Sequence, residues 1–420
     1  MKTLKKYLKI PTSSEVLNFK LLLLTNGLDF NFKAIKKKYP EIKSDYKVNK
    51  IRVSDRHFLP VKNIERDFIP DELILERGEE KSVVKVYYRK ESPFLFSVEN
   101  NDFVILDKKT KENFPVSIRL VPLYDYAKRK YKGVPLDEFV SVVGLDKVSI
   151  IPYDGCENWV YGEECKFCGA NPKRMGFTGI KPNVFEIRNK FNGNYRAWWD
   201  YYRDYMCRNV LRSFEALLKD KIKPHFHFAI ISGNLSDLDL EWEIVFNLID
   251  AIKDKINFSE IDSYFNLMPP LDFKKIDKSS EYGFRYMCFN LECFDKRLFK
   301  NVCPGKNKRY GYEKIIKALE YSVKVFGKGK VRTNFVLGSE PLGGLFEGVL
   351  RLANEGIVAD YSVFFPRPGS VWRYKKTISP DEILHFTKKL IEVYEKYNFK
   401  PYCCSVSSRS SIANEVYNLW

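Results

Sequence analysis

The chain has 420 residues, 45% of them hydrophobic, and a formal charge of +17 at neutral pH. That is enough apolar material for a large core and for two or three domains, although an α/β barrel can absorb more than about 200 residues as one. No apolar run of about 18 residues occurs, and the opening MKTLKKYLKIPTSSEV has no apolar h-region, so neither a membrane span nor a signal peptide is expected.

In chain order, a helix is expected over 15–24, followed by a lysine-rich connector (Lys33, Lys36, Lys37, Lys38, Lys43, Lys47 and Lys50). Short alternating runs at 82–88, 94–97, 103–106 and 116–121 predict strands of a smaller α+β domain over 1–142. From residue 146 the rhythm changes. Strands are expected at 147–152, 225–231, 260–266, 285–292, 331–337 and 361–365. Helices are expected at 198–218, 242–253, 272–282, 312–326, 342–354 and 380–397. Six β-then-α units imply a parallel sheet with right-handed crossovers. The fold class is therefore α/β, a partial (β/α)6 TIM-type barrel over 143–400 with reactive groups at the C-terminal strand ends. The tail, 401–420, is expected to pack on the barrel.

The positive charge is spread along the chain, which fits lysine coating solvated faces. An RNA, an acidic peptide or a phosphorylated substrate stays open as a partner for a basic surface. The Trp198, Trp199, Tyr201, Tyr202, Tyr205 group reads as one face of an amphipathic core helix. His225 and His227 read as barrel histidines rather than metal ligands.

Nine cysteines are scattered through the chain. With no secretion signal, they suggest metal or catalytic thiols in a reducing, cytoplasmic setting. Cys156, Cys165 and Cys168 share one loop after the first barrel strand. Three thiolates can hold three irons of a four-iron cluster and leave the fourth iron open. A closed structural zinc site would want four protein ligands. The remaining cysteines, including the adjacent Cys403 and Cys404, form no second C-x2-C pair. A zinc-stapled nucleic-acid-binding module is the alternative of a different class. A barrel enzyme of polar chemistry, with incidental cysteines, is a third.

The segment GCENWVYGEECKFCGAN resembles the cluster loop of the radical S-adenosylmethionine (radical SAM) enzymes, whose usual spacing is C-x3-C-x2-C. Phe167 fills the aromatic position before the last cysteine. The first spacing departs from the pattern, giving C-x8-C-x2-C. Ser232-Gly233-Asn234 resembles the segment that meets the methionine amine. Asn290 and Glu292 stand where polar residues bind the cofactor's ribose or carboxylate, and Lys306, in a Pro-Gly-Lys stretch, is placed to meet a carboxylate. Arg332, Asn334 and Glu340 resemble the strand beside the adenine. The resemblance covers about residues 146–405.

It implies a [4Fe-4S] cluster on Cys156, Cys165 and Cys168, with S-adenosyl-L-methionine bound at the open iron. Phe167, Ser232, Gly233, Asn234, Asn290, Glu292, Arg332, Asn334 and Glu340 would contact the cofactor. Ferredoxin or flavodoxin would donate the electron. The implied activity is reductive cleavage of S-adenosylmethionine and hydrogen abstraction from an unactivated C–H bond of a small-molecule or cofactor-pathway substrate. Radical modification of a peptide or RNA is the alternative within the family.

Overall fold

A computed structural model describes residues 6–9, 11–48, 68–169, 179–220, 226–401 and 408–419. It is a mixed α/β structure built on a seven-stranded, mostly parallel sheet. In spatial order its strands are Val140–Val143, Lys147–Ile150, His227–Ile231, Ser263–Asn266, Tyr286–Cys288, Val331–Leu337 and Ile357–Val363. The last six run parallel in sequential order. Only the first is antiparallel to its neighbour. Val148, Ile150, Phe228, Ala229, Ile230 and Phe265 are all buried, as expected where parallel strands are covered on both faces.

Helices Tyr195–Leu218, Leu238–Ile252, Lys274–Glu281, Tyr312–Phe326, Leu342–Asn354 and Pro380–Tyr397 follow the strands. The caps explain several starts. Asp237 accepts from Leu240 N, and Ser379 with Glu382 forms a capping box ahead of Pro380. Trp198 and Trp199 are buried in the first of these helices, which places them in the core.

Two of the parallel strands differ most from their expected extents. The fourth parallel strand stops at Cys288; beyond it Leu291 N donates to the Thr333 hydroxyl at 2.9 Å, and Glu292 takes a left-handed φ of 66°. Glu292 then rejoins the sheet through a bridge to Phe335. The last strand starts earlier, at Ile357. His225 lies outside the described residues. His227 sits between Asp146 and Asp262, at 3.5 and 3.4 Å, at the strand's opening end.

A second sheet has six strands, ordered Asp29–Phe30, Phe94–Glu99, Asp102–Asp107, Ser117–Leu120, Glu72–Arg77 and Glu80–Lys85. Helix Glu15–Asn26, capped by Ser14, is buried along most of its length. The lysine-rich connector contains a helix, Phe32–Lys38, capped by Asn31. One continuous apolar core joins both sheets.

Strand Val140–Val143 straddles the expected boundary at 142/143 and belongs to the parallel sheet as an antiparallel edge hairpin. Nearby, Glu72 accepts from Gly144 N at 3.0 Å and Lys47 Nζ at 3.3 Å, and it pairs with Arg409. The described part of the tail touches both sheets. Arg409 O accepts from Lys85 N at 2.9 Å, and Ser410 O from Val363 N at 2.8 Å. No helix of the described residues is long and apolar enough to cross a membrane.

Candidate active site

The C-terminal ends of the parallel strands open onto a cavity of about 650 Å³. Cys156, Cys165, Phe167 and Cys168 line it, as do Ser232, Gly233, Asn234, Asn290, Glu292 and Asn334. The cysteine loop thus shares one cavity with residues of three later strands, although the furthest of them, Asn334, lies 166 residues beyond Cys168.

The loop is braced by backbone contacts from three directions. Glu157 N donates to Asn234 O at 2.8 Å, and Asn234 N donates to the Cys156 sulfur at 3.3 Å. Lys166 N donates to Val302 O at 2.9 Å, and Trp372 N donates to Lys166 O at 2.9 Å. Phe167 packs at 6.4 Å from the Trp372 ring. Arg309 fastens the outer side, reaching Asn158 at 2.6 Å, Glu163 at 2.7 Å and Ser236 at 3.1 Å.

Gly233 is a glycine because the loop lies on it. A Cβ there would stand 2.0 Å from Gly155 O and 2.8 Å from the Cys156 Cα. Its missing side chain makes room for the thiol-bearing backbone itself. Ser232 is held from below, its hydroxyl donating to the buried Glu241 carboxylate, which also accepts from Leu235 N at 3.1 Å. Burial pushes Glu241 up to about 7 against those hydrogen bonds.

Glu292 and Lys306 form a nearly buried ion pair at 2.7 Å, and Lys306 also donates to Asn290 O at 3.2 Å. Burial opposes the Lys306 charge, but Glu292 and the nearby thiols of Cys165 and Cys303 outweigh it and hold the ammonium above its usual range. The Asn290 amide donates to Asn266 at 3.0 Å. The Asn334 amide reaches Ser362 at 3.3 Å.

Two sequence candidates stand elsewhere. Arg332 does not line the cavity. It lies near the start of its strand, donates to Lys400 O at 3.2 Å and sits over the Tyr286 ring. Alternation put it on the Asn334 face, but one step along that face lowers it toward the opposite end of the sheet. Glu340 is also outside the cavity lining. Its carboxylate accepts from Phe294 N at 2.7 Å and Asp295 N at 2.9 Å, fixing the chain just ahead of helix Lys296–Val302.

Sequence reading passed over Tyr153, Asn266, Ser362 and Cys303. The first three carry no motif. Cys303 stands immediately before the Pro-Gly-Lys stretch and is fully buried beside Cys165.

The donor set can be tested against the groups it was read for. A zinc ion needs its donors about 2.0–2.3 Å from one point. Among the described residues, no three His, Cys, Asp or Glu side chains are gathered tightly enough for a single ion. The three cysteines line one cavity, and thiolates are the donors an iron–sulfur cluster takes. Burial pushes the Cys156 thiol up to about 12, partly offset by the Asn234 N–H. The Cys303 thiol, acting against burial, draws Cys165 below its usual value.

No protein-family profile matches the chain. Over 276 residues it is 26% identical to a bacteriochlorophyllide c C-7(1)-hydroxylase from Chlorobaculum limnaeum, covering 63% of this chain and 64% of that protein. The chain therefore spans less than two thirds of that curated relative. Among solved structures, coproporphyrinogen III oxidase (HemN) from Escherichia coli, a radical SAM enzyme, has 13% identity and a TM-score of 0.39, over 61% of this chain and 54% of its own. The FeFe-hydrogenase maturase HydG from Carboxydothermus hydrogenoformans has 12% identity and a TM-score of 0.39, over 62% and 53%. A radical SAM methyltransferase from Sphaerobacter thermophilus has 10% identity and a TM-score of 0.40, over 88% and 86%. TM-scores of this size do not transfer chemistry. By its three-cysteine loop at the strand ends the chain is similar to the radical SAM enzymes, with the long first spacing of the loop as its own departure.

Proposed function

We propose that the chain is a radical SAM enzyme acting on a C–H bond of a small-molecule substrate. The carrying observation is that Cys156, Cys165 and Cys168 line the same cavity as Asn290, Glu292 and Asn334. In this reading the six parallel strands form a partial (β/α)6 barrel, and residues 1–142 are a substrate-recognition domain closing on it. The three thiolates would hold a [4Fe-4S] cluster. When bound, the cluster and S-adenosylmethionine supply one-electron cleavage of the sulfonium and hydrogen-atom abstraction; the protein supplies position and exclusion of side reactions.

Each side chain then has a task. Ser232, Gly233 and Asn234 present backbone to the cofactor's amine end, held by the Glu241 carboxylate underneath. Lys306, fixed by Glu292, offers its ammonium to the carboxylate of the same cofactor. Asn290 and Asn334 offer amides to hydroxyl and ring edges. Phe167, against Trp372, keeps water from the sulfur side of the loop. The cavity volume lies within the range of ligand pockets, about 300–1,000 Å³. The relative named as a bacteriochlorophyllide hydroxylase is in keeping with a small-molecule C–H substrate. A small reduced carrier such as ferredoxin or flavodoxin would deliver the electron.

Anaerobic reconstitution tests this reading. The expected product is a brown protein with about four irons per chain that releases 5′-deoxyadenosine on adding S-adenosylmethionine and dithionite. Alanine at Cys156, Cys165 or Cys168 should abolish that release. A colourless protein carrying one zinc per chain would overturn it in favour of a zinc-stapled module.

A further inference from the structure

The reading above gives Cys303 no task, yet the fold holds it against the loop from both sides. Lys166 N donates to Val302 O at 2.9 Å, and Gly305 N donates to Glu163 O at 2.9 Å. Residues 302 and 305 are therefore tied to residues 166 and 163, which sets Cys303 opposite Cys165. The approach is close: a Cβ on Gly305 would stand 2.5 Å from Asn158 Oδ1 and 2.6 Å from Glu163 O. Cys303 is fully shielded from solvent, and its thiol lies within hydrogen-bonding reach of the Cys165 thiol. A cysteine that holds iron does so as a thiolate and has no proton of its own to give. The direction of the contact follows: Cys303 donates and Cys165 accepts.

We propose that Cys303 is a positioning residue whose S–H donates to the Cys165 sulfur and raises the reduction potential of the cluster held by Cys156, Cys165 and Cys168. This rests on the cluster reading above. A donor at a ligand sulfur draws off negative charge and favours the reduced cluster, which carries one more electron. The loop already contains a weaker counterpart, since Cys156 receives the Asn234 backbone N–H. Cys303 remains outside the ligand set, so the open iron is kept.

Potentiometric titration of the reconstituted full chain, followed by the electron paramagnetic resonance of the reduced cluster, tests this. Wild type, Cys303→Ala and Cys303→Ser are compared, with Cys303→Val in place of alanine if the smaller side chain prevents folding. All should retain about four irons. At a fixed potential, the reduced-to-oxidised ratio of Cys303→Ala should fall at least about threefold, where tenfold corresponds to 59 mV for a one-electron couple. Serine, which keeps a donor, should recover most of that loss. A ratio within about twofold of wild type overturns the proposal. So does loss of iron from Cys303→Ala while Cys156→Ala keeps it, because Cys303 would then be a ligand. Failure of the wild type to take up iron overturns the cluster reading itself, before any variant is made.

Discussion

Glu241 carries a carboxylate in a place where ionisation is costly. Its ordinary value of 4.5 rises to about 7 because it is fully buried. The folded chain therefore binds a proton that the unfolded chain releases between those two values, and stability falls as the pH rises through that window. The difference amounts to about 3 kcal/mol at most. Glu241→Gln should flatten the decline between about pH 5 and pH 8 in urea unfolding. An unchanged slope would show that the carboxylate does not titrate there. Such a residue leaves little trace in sequence, because helix position and charge alone describe a solvated glutamate. Only the fold brings Ser232 and Leu235 N to it. Cys303 was obscure for a related reason: its partner in the loop lies 138 residues earlier.

The contact between the second parallel strand and the cysteine loop is an element-scale fit with no slack. Gly233→Ala must push Gly155 and Cys156 away from the strand end, since the new carbon would lie 2.0 Å from Gly155 O. Overpacking of this kind costs about 1–3 kcal/mol. The expected result is a fall of more than half in reconstituted iron with circular dichroism unchanged, because the strand survives and the loop shifts. Gly343→Ala, whose Cβ would meet nothing within 4 Å, is the matched control and should keep its iron. Full iron in Gly233→Ala would refute the fit.

Elements were legible where the apolar period was clear. Tyr312–Phe326, Leu342–Asn354, Pro380–Tyr397 and Val331–Leu337 all fall where the sequence places them. Strand Glu72–Arg77 was not legible, because its charged ends read as surface until Lys47, Gly144 and Arg409 enclose Glu72. The left-handed glutamate just past the fourth strand was not legible either, because local propensity argues against it.

At the scale of the whole molecule, Glu72 is where the two sheets and the tail meet. Burial alone would raise its pKa, but the charges of Lys47, Arg409 and Lys85 outweigh that and hold it well below its ordinary value of 4.5. A depressed carboxylate contributes stability above the unfolded value, and that contribution is lost as the pH falls below it. Glu72→Gln should lower stability at neutral pH by about 3–5 kcal/mol, because it leaves buried cations without their anion. It should also weaken the acid dependence below about pH 4.5. Equal stability of variant and wild type at pH 7 would mean the junction does not depend on this charge. The sequence showed two textures but not how they join. Strand Val140–Val143 belongs to the parallel sheet although most of it precedes the expected boundary.

The tail's contacts reach further than attachment. Glu80–Lys85 and Ile357–Val363 are each the last strand of their sheet, and Arg409 and Ser410 each accept a backbone hydrogen bond from one of them. A bare border strand is a template for another chain to add to. One dipeptide partly covers two such borders at once, so a chain clipped before it would bare one backbone N–H on each rim.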